Sequence, residues 1–276
     1  MKPAELKQRL AAGEAVFGAM IFAIRGMRWA RVLQGSTLDY IVIDSEHASR
    51  DRELIADLVG MLKSVNITAI VRTPSTDPVY VAMALDAGAD GVLVPYCETL
   101  EEVKACAAKL RLHPLKGEYL RRAVETGEYP SDRSREYLEA RHKDHIFIMG
   151  VESVPAVERL EQLIDAARPD GVFVGPNDLT TSLGIPDEVE NPRYVDTLKG
   201  IIETSESKGV PVMVHQQALA PSRRAIELGA RFVLHSSDGG MLLRAMQTEF
   251  AALREIASGR FGAGRKVKAE DTLETI

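Results

Sequence analysis

Short runs of β-branched and apolar residues recur along the chain, each followed by a polar turn and then by a stretch with the periodicity of an amphipathic helix. The runs are Val16–Phe22, Tyr40–Asp44, Ala69–Arg72, Gly91–Pro95, Ile146–Val151, Gly171–Val174, Pro211–His215 and Phe232–His235, eight in all. They do not alternate between apolar and polar, which is expected of strands buried on both faces of a parallel sheet. Helix boundaries are legible between them. Asp77-Pro78 reads as an N-cap with proline at the first helical position, closed at Gly88. Thr99 and Glu102 have the spacing of a capping box. Asn191-Pro192 opens another helix, and Pro221 opens one that Gly229 closes.

Eight strand–helix units in roughly 250 residues predict a single-domain (β/α)8 TIM barrel over residues 1–257, followed by a polar tail over 258–276. A doubly wound sheet shares the alternation. The absence of GxGxxG after the first run and the barrel-closing number of units favour the barrel. The rhythm breaks once, over residues 110–145, between the fourth helix and the fifth strand. A long loop with one short helix around Ser134–Arg141 is expected there, and loops of that length are usually functional lids or disordered.

Composition narrows the function. A net charge of -6, with only short basic runs such as Arg121-Arg122 and Arg265–Lys268, argues against a nucleic-acid partner. Cys97 and Cys106 form neither a CxxC pair nor a disulfide framework. No apolar run reaches the ~18–20 residues of a membrane span, and the first fifteen residues are polar and amphipathic. A soluble, cytoplasmic protein is expected, with no membrane partner.

In a parallel barrel the reactive groups gather at the C-terminal ends of the strands. There the chain places Asp44-Ser45-Glu46-His47, Arg72, Glu152, Gly175-Pro176-Asn177-Asp178, His215 and His235-Ser236-Ser237-Asp238. So many ionisable groups directly after apolar strands carry a desolvation cost, which suits a site. Glu152 and Asp178 follow neighbouring strands and are hard oxygen donors, suited to Mg2+, Mn2+ or Co2+ with positions left for substrate. The residues alone leave two solvent-exposed helix-capping acids as the alternative.

Taken together, IDSEHAS (43–49), VRTPS (71–75), ALDAGADGVLVP (84–95), VES (151–153) and GVFVGPNDLTTSLG (171–184) resemble the HpcH/HpaI aldolases. The resemblance runs from about residue 13 to about residue 255. It implies a class II, metal-dependent pyruvate aldolase with no organic cofactor, acting on a 2-oxo acid and an aldehyde. It also implies a homo-oligomer, a hexamer or dimer whose subunits exchange the final helix. Residue by residue, it makes Glu152 and Asp178 the metal ligands, Arg72 the contact to the keto oxygen, and His47 the base with Asp44 beside it. Pro176 and Asn177 belong to the substrate-binding turn. Asp86, late in its helix and at the wrong end of its own barrel, is implied to reach the base histidine of a neighbouring subunit; an ordinary helix-end residue is the other reading.

The chemistry fits those roles. Cleaving the C3–C4 bond of a 4-hydroxy-2-oxo acid leaves a pyruvate enolate, which a metal and an arginine stabilise without reorganisation. The 4-hydroxyl must lose a proton, and histidine is the side chain suited to that near neutral pH. A Schiff-base route would need a lysine at a strand end, and none of the eight runs has one.

The chain also departs from the family. Gly150 stands where many members carry Gln, and Leu115-Lys116-Gly117-Glu118 where many carry an Arg-Gly pair. Both changes put the aldehyde half in doubt. Arg121 and Arg122 are candidates to read a carboxylated acceptor, with surface charge the preferred reading. His142 and His145 read as solvated, Cys97 as a small buried filler, and Glu46 either as the partner of Arg72 or as a support for metal-linked water. A citramalyl- or malyl-CoA-type lyase, and a catalytically silent barrel with a binding or assembly role, are the alternative functions.

Overall fold

The computed structural model describes residues 1–261. In chain order the elements are α1 (Pro3–Ala11), β1 (Val16–Ile21), a 3-10 turn (Met27–Trp29), α2 (Ala30–Gln34), β2 (Tyr40–Asp44), α3 (Arg52–Ser64), β3 (Thr68–Arg72), α4 (Pro78–Asp86) and β4 (Gly91–Val94). There follow α5 (Leu100–Leu112), α6 (Gly117–Thr126), α7 (Asp132–His142), β5 (Ile146–Gly150), α8 (Val154–Glu158), α9 (Leu160–Ala167) and β6 (Gly171–Val174). The chain continues through α10 (Pro176–Ser182), α11 (Pro192–Ser207), β7 (Val212–Gln216), α12 (Leu219–Glu227), β8 (Phe232–Ser237) and α13 (Asp238–Phe261). The strands close in sequence order, β1 to β8, and β8 pairs in parallel with β1. The barrel and all eight expected strands are therefore present.

Within the barrel wall, side chains alternate between the axis and the helix layer. Met20, Val42, Ile70, Leu93, Ile148, Phe173, Met213 and Leu234 pack together inside, and Leu6 and Leu10 of α1 join the same cluster. Ile41, Ile43, Val71, Val92, Val94, Phe147 and Met149 face the helices instead. This period of two decides which residues reach the site. Two steps along the inward rows from Val42, Ile70 and Met213 stand Asp44, Arg72 and His215.

The predicted caps hold: Asp77 accepts the Val79 N–H at 2.9 Å, Asn191 that of Arg193 at 3.0 Å, and Thr99 and Glu102 complete a capping box. Two boundaries differ. α12 opens at Leu219, so Pro221 is its third residue; the N–H it lacks would have no intrahelical partner there in any case. The 110–145 insertion holds two helices rather than one, because Gly117 and Gly127 bound the amphipathic α6 instead of interrupting a loop. α7 is longer than expected and carries His142 into the protein, where it is buried, while His145 is half-buried. Neither histidine is the solvated residue that the charged neighbourhood suggested. α13 continues through Phe261, four residues into the expected tail; residues 262–276 of that tail lie outside the described residues.

Candidate active site

β2 and β3 run in register, with Asp44 opposite Arg72. That register creates the central ion pair: Arg72 Nε donates to Asp44 Oδ1 at 2.6 Å, and Asp44 is fully buried. The same carboxylate accepts the backbone N–H groups of Glu46 and His47, both at 3.1 Å. Asp44 thus shapes the turn that carries His47 and points Arg72, and acts as a positioning residue. Arg72 Nη1 lies 3.0 Å from Glu46 Oε2. The contact is within ion-pair range but off hydrogen-bond geometry, so Glu46 Oε2 remains a buried oxygen without a donor. His47 Nε2 is 3.7 Å from that oxygen, and its ring is nearly half exposed at the mouth of the site.

Glu152 follows β5 and is 1% exposed. Two glycines make room for its carboxylate. A Cβ on Gly150 would stand 2.7 Å from Glu152 Oε2, and one on Gly175 would overlap Oε1 outright. Oε2 accepts the Tyr96 N–H at 2.7 Å, and Tyr96 presents that N–H from a left-handed backbone at φ 49°. Such a conformation costs a side-chain-bearing residue ~1–3 kcal/mol and persists where the surroundings enforce it. Burial pushes the Glu152 carboxyl up to about 8. The Tyr96 N–H and Arg72 pull against this, and the negative charges of Glu46 and Asp178 add to it. The reading of Glu152 as a solvent-exposed helix cap is excluded.

Asp178 lies in the first turn of α10 and is partly exposed. It lines a cavity of about 160 Å3 together with Pro176, Asn177, His47 and Arg72. Gly175 lines it too, with Glu152 directly beneath. Seven of the eight expected site residues are therefore brought to one end of the barrel. Asp86 is not. It lies at the far end of α4, where its carboxylate sits 3.0 Å from His113 Nε2 and 3.8 Å from Arg52. A cavity of about 830 Å3 at that opposite end, among Lys7, Arg111, His142, His145 and Asp170, gathers none of the expected residues.

His215, expected at the end of its strand, lines the small cavity, and Phe22 and Gln217, which were not singled out, line it too. Asp238 accepts the backbone N–H groups of Phe22 and Ala23 at 2.9 Å and of Ile24 at 2.6 Å, so it clamps the loop after β1. Arg50 holds the same loop from the other side, donating to the carbonyls of Ile21, Ile24 and Asp44. The period-two rows gave a signal for His215 and Gln217, but none for Asp238 or Arg50. Arg121 and Arg122 are exposed and paired with Glu118, Glu125 and Glu128, which leaves them as surface charge. Cys97 is fully buried against the Val94 carbonyl, as a filler would be.

A parallel barrel with two carboxylates, an arginine and a histidine on its C-terminal face has the layout of an enzyme for small anionic substrates. Residues 25–245 match the HpcH/HpaI aldolase/citrate lyase family, and the chain belongs to that family. Among its relatives, a pyruvate aldolase of Rhizobium etli is 28% identical over 244 residues, 87% of this chain and 94% of the relative. A 5-keto-4-deoxy-D-glucarate aldolase of Klebsiella pneumoniae is 29% identical over 248 residues, 89% and 94% of the two chains. Among solved structures, an HpcH/HpaI aldolase/citrate lyase family protein from Burkholderia cenocepacia superposes with a TM-score of 0.78 at 28% identity, covering 91% of this chain and 99% of its own.

Proposed function

We propose that the chain is a divalent-metal-dependent aldolase that cleaves or forms the C3–C4 bond of 4-hydroxy-2-oxo acids, with pyruvate or a close 2-oxo acid on one side and an aldehyde on the other. Glu152 carries the reading. A carboxylate enclosed to 1% exposure, in a cradle that two missing Cβ atoms leave open, needs a positive partner to stay ionised. Glu152 and Asp178 would hold Mg2+, Mn2+ or Co2+, and the orphaned Glu46 Oε2 suits a water in the same neighbourhood. Among the described residues no group of three or more His, Cys, Asp or Glu is placed to hold a metal ion. The bound ion supplies Lewis-acid polarisation of the keto oxygen.

The chain's own residues supply the rest. Arg72, fixed through Nε and Nη1, keeps Nη2 for the oxygen on which enolate charge develops. His47, at the mouth of the cavity, exchanges the proton of the 4-hydroxyl, and its backbone is held by Asp44. The names of the Rhizobium and Klebsiella relatives support the same substrate class. Arg121 and Arg122, candidates to read a carboxylated acceptor, are paired with Glu118, Glu125 and Glu128.

α13 supports a homo-oligomer. It has no buried residue, and Leu242, Met246, Phe250, Leu253 and Ile256 are all exposed along it. Exchange of this helix between subunits would cover them. Among the described residues no helix is long and apolar enough to cross a membrane.

The function is tested by incubating the enzyme and Mn2+ with a panel of 4-hydroxy-2-oxo acids and following pyruvate with lactate dehydrogenase. Release that chelation abolishes and Glu152→Ala lowers by ~10²-fold or more supports the proposal. No release from any acid, with any of the three metals, counts against it.

A further inference from the structure

The side of the cavity formed by His215 and Gln217 has no part in the chemistry above. It is built by the end of β7, whose inward row continues from Met213 to His215 and Gln217. His215 is buried, and its Nε2 lies 3.3 Å from the Ser236 carbonyl, which is offered from a left-handed residue at φ 58°. A carbonyl only accepts, so Nε2 carries the proton and Nδ1 is left as the bare acceptor. Burial, with Arg72 nearby, pushes the His215 pKa down to about 4, so the ring is neutral at neutral pH. Gln217 lies beside it, its amide 3.4 Å from His215 Nε2; with Nε2 protonated it is the amide oxygen that faces the ring, and Asn177 lines the same cavity. These groups both donate and accept, and none is charged.

Cations are scarce here. Among the described residues Arg72 is the one Lys or Arg lining the cavity, and Asp44 and Glu46 already engage it. Arg244 does not line the cavity; its terminal nitrogens are held by the Gln217 carbonyl at 3.1 Å and Ser236 Oγ at 2.8 Å. A carboxylate entering this side would leave water for neutral amides, with Asp178 in the same cavity, at a cost of several kcal/mol. A hydroxyl would find an acceptor in Nδ1 and donors in the amides.

Resting on the aldolase reading, we propose that His215 and Gln217 form the aldehyde subsite and select short, neutral 2-hydroxyaldehydes over aldehydes that carry a carboxylate. The test is a set of aldol additions of pyruvate with Mn2+, comparing kcat/KM for matched aldehydes. Glycolaldehyde is expected to exceed glyoxylate, and lactaldehyde to exceed propionaldehyde, each by about tenfold or more. In His215→Leu and in Gln217→Leu the lactaldehyde-to-propionaldehyde ratio is expected to fall toward one. If one variant fails to fold, the other variant and the wild-type pairs still decide. Wild-type enzyme that exchanges the methyl protons of pyruvate yet uses glyoxylate as well as glycolaldehyde overturns this inference and leaves the aldolase reading standing. Survival of the hydroxyl preference in both variants also overturns it. Absence of proton exchange overturns both readings.

Discussion

Placing one methyl group on Gly175 is expected to disable the site while leaving the fold intact. Gly175 has φ -87° and ψ 114°, so alanine is conformationally acceptable there. Its Cβ would overlap Glu152 Oε1, stand 3.2 Å from Cδ and stand 3.3 Å from the Phe173 ring. The overlap exceeds that at Gly150, where the gap of 2.7 Å compares with an ordinary contact of 3.4 Å, so Oε1 must retreat by about 1 Å. A shift of about 1 Å at a catalytic group costs ~10²-fold in rate. Stability should barely change, because the obstacle is the end of a side chain and Gly→Ala itself contributes ~0.4–1 kcal/mol in the folded state's favour. Gly150→Ala supplies the contrast. Its Cβ would also meet the backbone at Pro95 Cα and Tyr96 N, both at 2.9 Å, so overpacking of ~1–3 kcal/mol and a lowered melting temperature are expected. Pyruvate release and thermal melting, measured on both variants, separate the two effects. Wild-type activity and metal affinity in Gly175→Ala would refute the placement of Glu152 in the cradle.

Arg72→Lys keeps the charge but loses the fork that spans Asp44 and Glu46; kcat/KM is expected to fall by ~10²–10³-fold, and a fall below threefold would remove Arg72 from the chemistry. Asp238→Ala leaves the N–H groups of Phe22, Ala23 and Ile24 unpaired, so a loss of ~2–4 kcal/mol and faster hydrogen exchange at residues 22–24 are expected; unchanged exchange there would contradict the clamp. Burial pushes the His145 pKa down to about 4, so between the ordinary value of 6.5 and 4 the unfolded chain binds a proton that the folded chain does not, and stability falls as pH falls through that window. Glu152, raised to about 8, acts in the opposite direction, so the effect is read as a difference. Urea midpoints of His145→Gln should decline less than those of the wild type from pH 7 to pH 5, and equal declines would sink the assignment.

The barrel was legible because its evidence is local and repeated. Buried parallel strands read as apolar runs, and Asp77, Thr99 and Asn191 are caps whose geometry involves only residues three or fewer positions away. The pyruvate half of the site was legible for a related reason: Asp44, Arg72, Glu152 and Asp178 all sit directly at or after strand ends. What escaped depends on distant parts of the chain. Asp238 meets its partners more than 200 residues away, across the β8–β1 closure, and nothing near it in sequence announces that. His142 was misjudged because its neighbours on α7 are charged, although α7 turns the ring toward the His113 carbonyl. The use of Gly150 appears only when β4 and β5 are side by side, since the atoms it makes room for belong to Tyr96 and Glu152. His215 was within reach of the sequence, because it continues the same inward alternation that places Arg72, and the facing of the rows was the missing step.

Stabilisation of a pyruvate enolate by Glu152 and Asp178, with Arg72, can be tested without knowing the aldehyde. Pyruvate is incubated with the enzyme in deuterated water, with and without Mg2+, Mn2+ or Co2+, and the methyl protons are followed by NMR after removal of the metal. Exchange that requires a divalent ion and disappears in Glu152→Ala and Asp178→Ala is the predicted result. Exchange that persists without metal or in both variants, or no exchange with any of the three ions, would contradict it.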